Sequence, residues 1–227
     1  MRLIFLLALA AVLCPAQMRR SYIRASGEGV VSVRPDQATV SVGVITQGRT
    51  AAEATDANAT KAQAILDALR RLLGPNADIR TSYFSVTPNQ RFPTGGGVPE
   101  IVGYTATNNF RVTMTDTANA GRVIDTATAA GANTVGGITF GVREPVPLRQ
   151  RALQLATQMA RANAEAIAQG MSGRLGAVIS AAESSVAVPI MGGADGRAGI
   201  AAAVPTPVEA GNLEVSASVT MEIEVLQ

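Results

Sequence analysis

The sequence of 227 residues contains no histidine, no tryptophan and one cysteine, Cys14. Without histidine there is no Ser-His-Asp triad, no Cys-His pair, no imidazole base and no imidazole metal ligand. A lone cysteine excludes an internal disulfide, a thiolate zinc site and an iron–sulfur cluster. Aromatic side chains are scarce, three Tyr and five Phe. Lysine is nearly absent too, with 18 Arg and the single Lys61 set against 17 acidic residues. The cations are scattered singly apart from Arg19-Arg20 and Arg70-Arg71, with no aromatics interleaved. Nucleic-acid surfaces need clustered cations to displace counterions and aromatic faces to stack bases, so a net charge of +2 does not mark a nucleic-acid partner. Carboxylate, hydroxyl and guanidinium chemistry remain, or no chemistry.

What is present begins with an address. Met1-Arg2 is a short positive start, and Leu3 to Leu13 is an unbroken apolar run. That run is the length of a signal-peptide core and too short to span a bilayer. Small residues at Cys14 and Ala16 place cleavage after Ala16, so residues 1–16 read as a signal peptide. Cys14 offers a second reading, an acylated lipoprotein N-terminus, opposed by Leu13 before it and Pro15 after it. Cleavage after Ala16 leaves a chain without thiols, suited to an oxidising compartment. No later stretch is long and apolar enough for a transmembrane helix. The mature chain is expected to be soluble in the periplasm or attached to a membrane by something other than a span.

Periodicity organises the rest. Val31 and Val33, then Ala38, Val40, Val42 and Val44, alternate as half-buried strands do, and Arg34-Pro35-Asp36-Gln37 between them has turn chemistry. This reads as a β-hairpin. Thr50 and Glu53 form a capping box, the hydroxyl accepting from Glu53 N–H and the carboxylate reaching back to Thr50 N–H. A helix follows with Ala62, Ile65, Leu66, Leu69, Leu72 and Leu73 on one stripe, stopped by Gly74-Pro75. Extended segments are expected at 79–88 and 101–115. Asp116 or Thr117 caps a second helix that turns Ala120, Val123, Ile124 and Ala127 inward. A short strand carries Ile138, Phe140 and Val142. Pro145 and Pro147 open an alanine-rich third helix ending at Gly170, and a strand near 175–182 follows. The last segment alternates without a fault: Leu213, Val215, Ala217, Val219, Met221, Ile223, Val225.

The order ββαββαβαββ fits an α+β fold of two small two-layer sandwich domains with mostly antiparallel sheets and a long C-terminal strand. The expected division is 25–104 plus 205–227 for the first domain and 105–186 for the second. Residues 187–211 read as a flexible Ala/Gly/Pro loop.

Six stretches in this order resemble the SIMPL-domain family, exported bacterial envelope proteins long described as a domain of unknown function. They are GEGVVSVRPDQATVSVGV, IRTSYFSVTP, VGYTATNNFRV, VIDTATAAGANTVGGITF, RALQLATQMARANAEAIAQGMSGRLGAVISAAES and TPVEAGNLEVSASVTMEIEV. The resemblance spans Ala25 to Val225, with Asn163 standing where the family pattern has Lys. It implies a periplasmic or outer-membrane-associated protein of two small α+β domains. It also implies, for some members, ring or channel-like oligomers and a role in tolerance of oxidative or envelope stress. It carries no catalytic residues.

The candidate residues each have a plain structural reading. Gly27-x-Gly29 could touch a phosphate but is read as opening a hairpin, not the strand–helix junction a dinucleotide fingerprint needs. Glu28, Asp36 and Glu100 are carboxylates without ligand-like spacing. Asp125 lies one turn from Arg122, an expected local ion pair. Glu214, Glu222 and Glu224 share one face of the last strand, an acidic lining if the chain forms a ring. No catalytic, cofactor-binding or metal residue is assigned, and no cofactor. The expected function is non-enzymatic, through homo-oligomer formation or binding of an envelope protein partner. A carboxylate- or metal-dependent periplasmic hydrolase is the alternative.

Overall fold

Alternating apolar residues generate long strands that need neighbours on one face and cover on the other. The computed structural model describes residues 21–93, 96–187, 191–192, 206 and 208–227. The strands are β1 (Tyr22–Val33), β2 (Gln37–Gly48), β3 (Asp78–Arg91), β4 (Glu100–Met114), β5 (Thr134–Gly141), β6 (Arg174–Ala187), β7 (Met191–Gly192) and β8 (Leu213–Leu226). The helices are α1 (Ala51–Leu73), α2 (Ala120–Ala129) and α3 (Pro145–Gly170). Two antiparallel sheets result, one ordered β1-β8-β6 and the other β3-β4-β2-β5-β7. The α+β class is as expected.

The larger sheet is built on branched side chains. Ala38, Val40, Val42 and Val44 of β2 pair with Met114, Val112, Phe110 and Asn108 of β4. Ile65 and Leu69 of α1 and Val123 of α2 close over them with no exposed surface. Each such side chain contributes about 1.5–3 kcal/mol by leaving water. Polar clips fix α1 on this sheet. Buried Asn58 donates from Nδ2 to the carbonyls of Val44 and Ala106, both at 3.1 Å, and Thr46 Oγ1 donates to Ala54 O at 2.7 Å. The Thr50 cap accepts from Glu53 N–H at 3.2 Å, but the Glu53 carboxylate takes the Arg49 N–H, 2.9 Å away, where reciprocal capping of Thr50 was expected.

The smaller sheet is built on the absence of side chains. The face of α3 laid against it is a stripe spaced by four: Ala152, Ala156, Ala160, Ala164 and Ala168, each at most 1% exposed. Beneath it lie Gly27 and Gly29 of β1. A Cβ on Gly27 would sit 2.2 Å from Ala160 N, and one on Gly29 2.1 Å from Ala152 O. Helix backbone therefore rests directly on strand backbone. The large α3 side chains Met159 and Ile167 point outward.

Three sequence expectations are corrected. β1 and β2 are not a hairpin: β1 pairs with β8 alone, while β4 and β5 take both sides of β2. The corner chemistry at 34–37 is real, but size matching decides the partners. The valines of β2 meet the branched core and the glycines of β1 meet the alanine stripe. The corner itself is tied to the β5–α3 connection, Asp36 N–H donating to Gly141 O at 3.2 Å and Arg143 N–H to Asp36 Oδ1 at 2.8 Å.

Sheet membership consequently does not follow the division into 25–104 plus 205–227 and 105–186. β5 joins the sheet of β2, β3 and β4, and β6 joins that of β1 and β8. Finally, the 187–211 stretch is not simply a loop. Its described parts reach over to the larger sheet, where β7 pairs with Thr139 and Phe140 of β5 and Val208 packs on the core. Residues 193–205 lie outside the described residues, as do the expected cleavage site at Ala16 and Cys14.

Candidate functional site

The residues singled out from the sequence are not brought together. Among the described residues no three His, Cys, Asp or Glu side chains converge where they could hold a metal ion. Glu28 is exposed on β1, Glu100 is exposed at the start of β4, and Asp36 is spent on Arg143 N–H. Gly27 and Gly29 serve the close approach of α3 and meet no phosphate-binding helix terminus. Asp125 does not pair with Arg122, which donates instead to Asn119 Oδ1 at 3.1 Å. The Asp125 carboxylate accepts from Thr206 Oγ1 at 2.7 Å, and Gly121 below leaves room for the Thr206 carbonyl. A residue 81 positions away outcompetes the local ion pair because Asp125 faces the returning chain.

The expected acidic lining is partly neutralised. Glu222 accepts from Arg24 Nε at 3.0 Å and from Ser180 Oγ at 3.0 Å. The Arg24 hydrogen bond, then that of Ser180, holds the Glu222 carboxyl below its ordinary value. The Arg24 guanidinium is pushed up by the same partner. Beside this row runs a second, in which Thr220 Oγ1 lies 3.0 Å from Ser26 Oγ and 3.2 Å from Ser184 Oγ. Glu214 faces Ser32 and Glu224 faces Tyr22 across the β1–β8 ladder. The sheet face away from α3 is thus a polar, cross-linked surface.

Two shallow depressions complete the relief. One of about 400 Å³ lies between the end of α1 and the β4–α2 connection, lined by Leu73, Asn76, Asp78, Thr115 and Asp116. The other, about 430 Å³, runs between β1 and α3, lined by Glu28, Gly29, Val30, Leu155, Gln158 and Met159. Neither gathers an acid–base pair, since each holds carboxylates without a facing base.

What the surface does present is apolar side chains and strand edges. The β3–β4 ladder, which sequence reasoning passed over, exposes Tyr83 at 54% and Phe84 at 51% near its middle, and Ile101, Val102 and, just past β3, Phe92 at 70% at its far end. Three of the eight aromatic residues of the chain are thus exposed along one two-stranded ladder and its end. Contiguous exposed apolar side chains mark interaction surfaces. No described helix is long and apolar enough to cross a membrane.

Comparison with known proteins places these features in a lineage. A family model described as SIMPL, protein of unknown function (DUF541), matches residues 23–223. The 26 kDa periplasmic immunogenic protein of Brucella melitensis is 28% identical over 211 residues, covering 89% of this chain and 84% of that protein. The uncharacterized protein YggE of Edwardsiella ictaluri is 28% identical over 159 residues, 70% of this chain and 66% of that one. YggE of Escherichia coli K12 is 25% identical over 159 residues, 70% and 64% of the respective chains.

Proposed function

The chain belongs to the SIMPL family, and from that membership we propose that it is an exported envelope protein acting in the periplasm through self-assembly, not through catalysis. The relative named for the periplasm, similar over most of both chains, supports the location. The apolar run at residues 3–13 supports delivery by a signal peptide cleaved after Ala16. Tolerance of envelope stress is the phenotype such a protein would serve.

The observation that carries self-assembly is the series of exposed aromatic and aliphatic side chains along the β3–β4 ladder. Burying Tyr83, Phe84 and Phe92 against a second copy would remove several hundred square ångströms of apolar surface from water, as aromatic side chains bury about 150–250 Å² each. Closed symmetric assemblies are the common outcome for such contacts. The mature chain in light scattering or native mass spectrometry at tens of micromolar is expected as a discrete oligomer. The Tyr83→Ser, Phe84→Ser pair, on side chains that are half exposed, is expected to lower the mass while the protein stays folded. A sharp monomer, unchanged by concentration, would overturn the reading and favour an envelope partner of different sequence.

A further inference from the structure

Among the described residues, two sheet edges, β3 and β6, are blunted along their length. Register shifts interrupt β3 at Thr81/Tyr83 and Asn89/Gln90, and Pro88 lies within it. β6 has three such shifts, and on the far side of the larger sheet the two-residue β7 caps β5 at Thr139 and Phe140. Bulges, proline and capping strands are the usual devices against edge pairing. β1 has none of them. Its ladder with β8 runs from Tyr22 to Val33 without interruption, and its sequence YIRASGEGVVSV contains no proline.

The outward groups of β1 follow from two hydrogen bonds. Val225 N–H donates to Ser21 O, so the odd-numbered residues face β8. Asn163 Nδ2 donates to Ser26 O at 2.8 Å from outside the sheet, so the even-numbered residues turn N–H and C=O outward. Asn163 uses one lone pair of one carbonyl and leaves the Ser26 N–H and the second lone pair available. On α3 it belongs to a stripe spaced by four, Leu155, Met159, Asn163 and Ile167, that overhangs this edge. Met159 is 50% and Ile167 44% exposed.

We propose that β1 is the contact strand of a two-fold dimer, pairing antiparallel with β1 of a second copy about Ser26. The inference rests on the self-assembly reading and specifies one of its interfaces. The occupant is a second copy because the strand is complementary to itself. About Ser26, Arg24 stands opposite Glu28 of the partner subunit, and Tyr22 opposite Val30 of the partner subunit. All of these side chains lie on the face away from α3. Opposite charges and apolar pairs directly across a ladder stabilise it. Glu28 has no ion-pair partner among the described residues. Arg24 uses Nε and Nη2 on Glu222 and keeps Nη1 for a second carboxylate. The outcome is one six-stranded sheet, β6-β8-β1-β1-β8-β6, with the apolar stripes of both α3 helices meeting over the junction. A second contact through the β3–β4 ladder would then extend dimers into a closed assembly.

Two variants test this. Ser26→Cys in a Cys14→Ser background is expected to form a disulfide-linked dimer under mild oxidation, because paired Cα atoms across a ladder stand within disulfide reach, about 5.5 Å. Ser32→Cys, on the same strand and face, is the control expected to stay uncrosslinked. Glu28→Pro removes an outward N–H that no intrachain ladder uses, and is expected to keep the melting temperature within a few degrees while the assembly falls to smaller species. Equal crosslinking of Ser26→Cys and Ser32→Cys, or a folded Glu28→Pro protein with wild-type mass, would overturn the β1 dimer while leaving self-assembly standing. A monomeric wild-type protein would overturn both.

Discussion

The two sheets carry their helices in opposite ways. On the larger one, α1 and α2 are held off the strands by Ile65, Leu69, Val123 and Phe110, and the space between is filled by branched and aromatic carbon. On the smaller one, α3 descends over Gly27 and Gly29 until helix backbone meets strand backbone there, while Ile23, Val215, Val219 and Ile223 fill the space beside the alanine stripe. Area removed from water stabilises the first, and contact density does more of the work in the second. The difference teaches that tolerance to substitution must invert between them: the larger sheet suffers from losing volume and the smaller from gaining it.

The largest test of that inversion is subtraction. Ile65→Ala empties a fully buried position under α1 and is expected to cost about 4 kcal/mol in chemical denaturation. Ala156→Gly, equally buried under α3, removes one methyl and some helix propensity, and is expected to cost about 1 kcal/mol. Comparable losses at the two sites would show that both cores depend on volume alike.

Addition comes next. Gly29→Ala places a Cβ 2.1 Å from Ala152 O, with helix backbone unable to move aside cheaply, and is expected to cost about 3 kcal/mol. Gly141→Ala, at the end of β5 with its nearest neighbouring atom 4.0 Å away, is expected to stay within about 0.5 kcal/mol. A neutral Gly29→Ala would mean that α3 can rise off β1.

How far these two regions are legible in the sequence differs as well. The Thr50 cap, the helix limits at Pro145 and Gly170, and the alternation of β8 are local signals, and the chain obeys them. The alanine stripe is visible as spacing by four once Gly-x-Gly is read as a place for close approach. The sheet partners of β1 and β2 are not legible, since a Pro-Asp corner reports a change of direction and nothing about which neighbours follow. Asn58 sits at the i+4 position between Ala54 and Ala62, a polar residue within an apolar stripe. That pattern is the available clue to its clip on the strands of Val44 and Ala106. Asp125 could not be paired correctly, because Thr206 is remote in sequence and short-range rules favour Arg122. The β1 edge is legible only after β8 is known to lie on its other side.

The smallest expected effect belongs to the polar face of the smaller sheet. The folded-state value of Glu222 is lowered by Arg24 and Ser180, so its contribution is complete above the ordinary carboxylate range. It is lost as pH falls through the lowered value. Exposure and salt screening keep it minor. Glu222→Gln is expected to flatten the acid limb of stability against pH slightly, by removing the small contribution near neutrality and leaving stability at low pH unchanged. An unchanged acid limb would show that the Arg24 row is ornamental to folding.

The ladder between β1 and β8 has a consequence in time. Tyr22 pairs with Glu224 and Val33 with Leu213, so the first strand of the fold is married to the last. The larger sheet, apart from β7, is contained in residues 37–141 and can close as soon as that stretch exists. Among the described residues β1 and β6 share β8 as their common neighbour and have no other in the sheet, so neither enters a ladder there until β8 arrives. Such long-range closure is slow. The chain can therefore complete one half of its architecture from residues 37–141 and holds the other half, together with the strand edge it exposes, in abeyance until β8 is delivered.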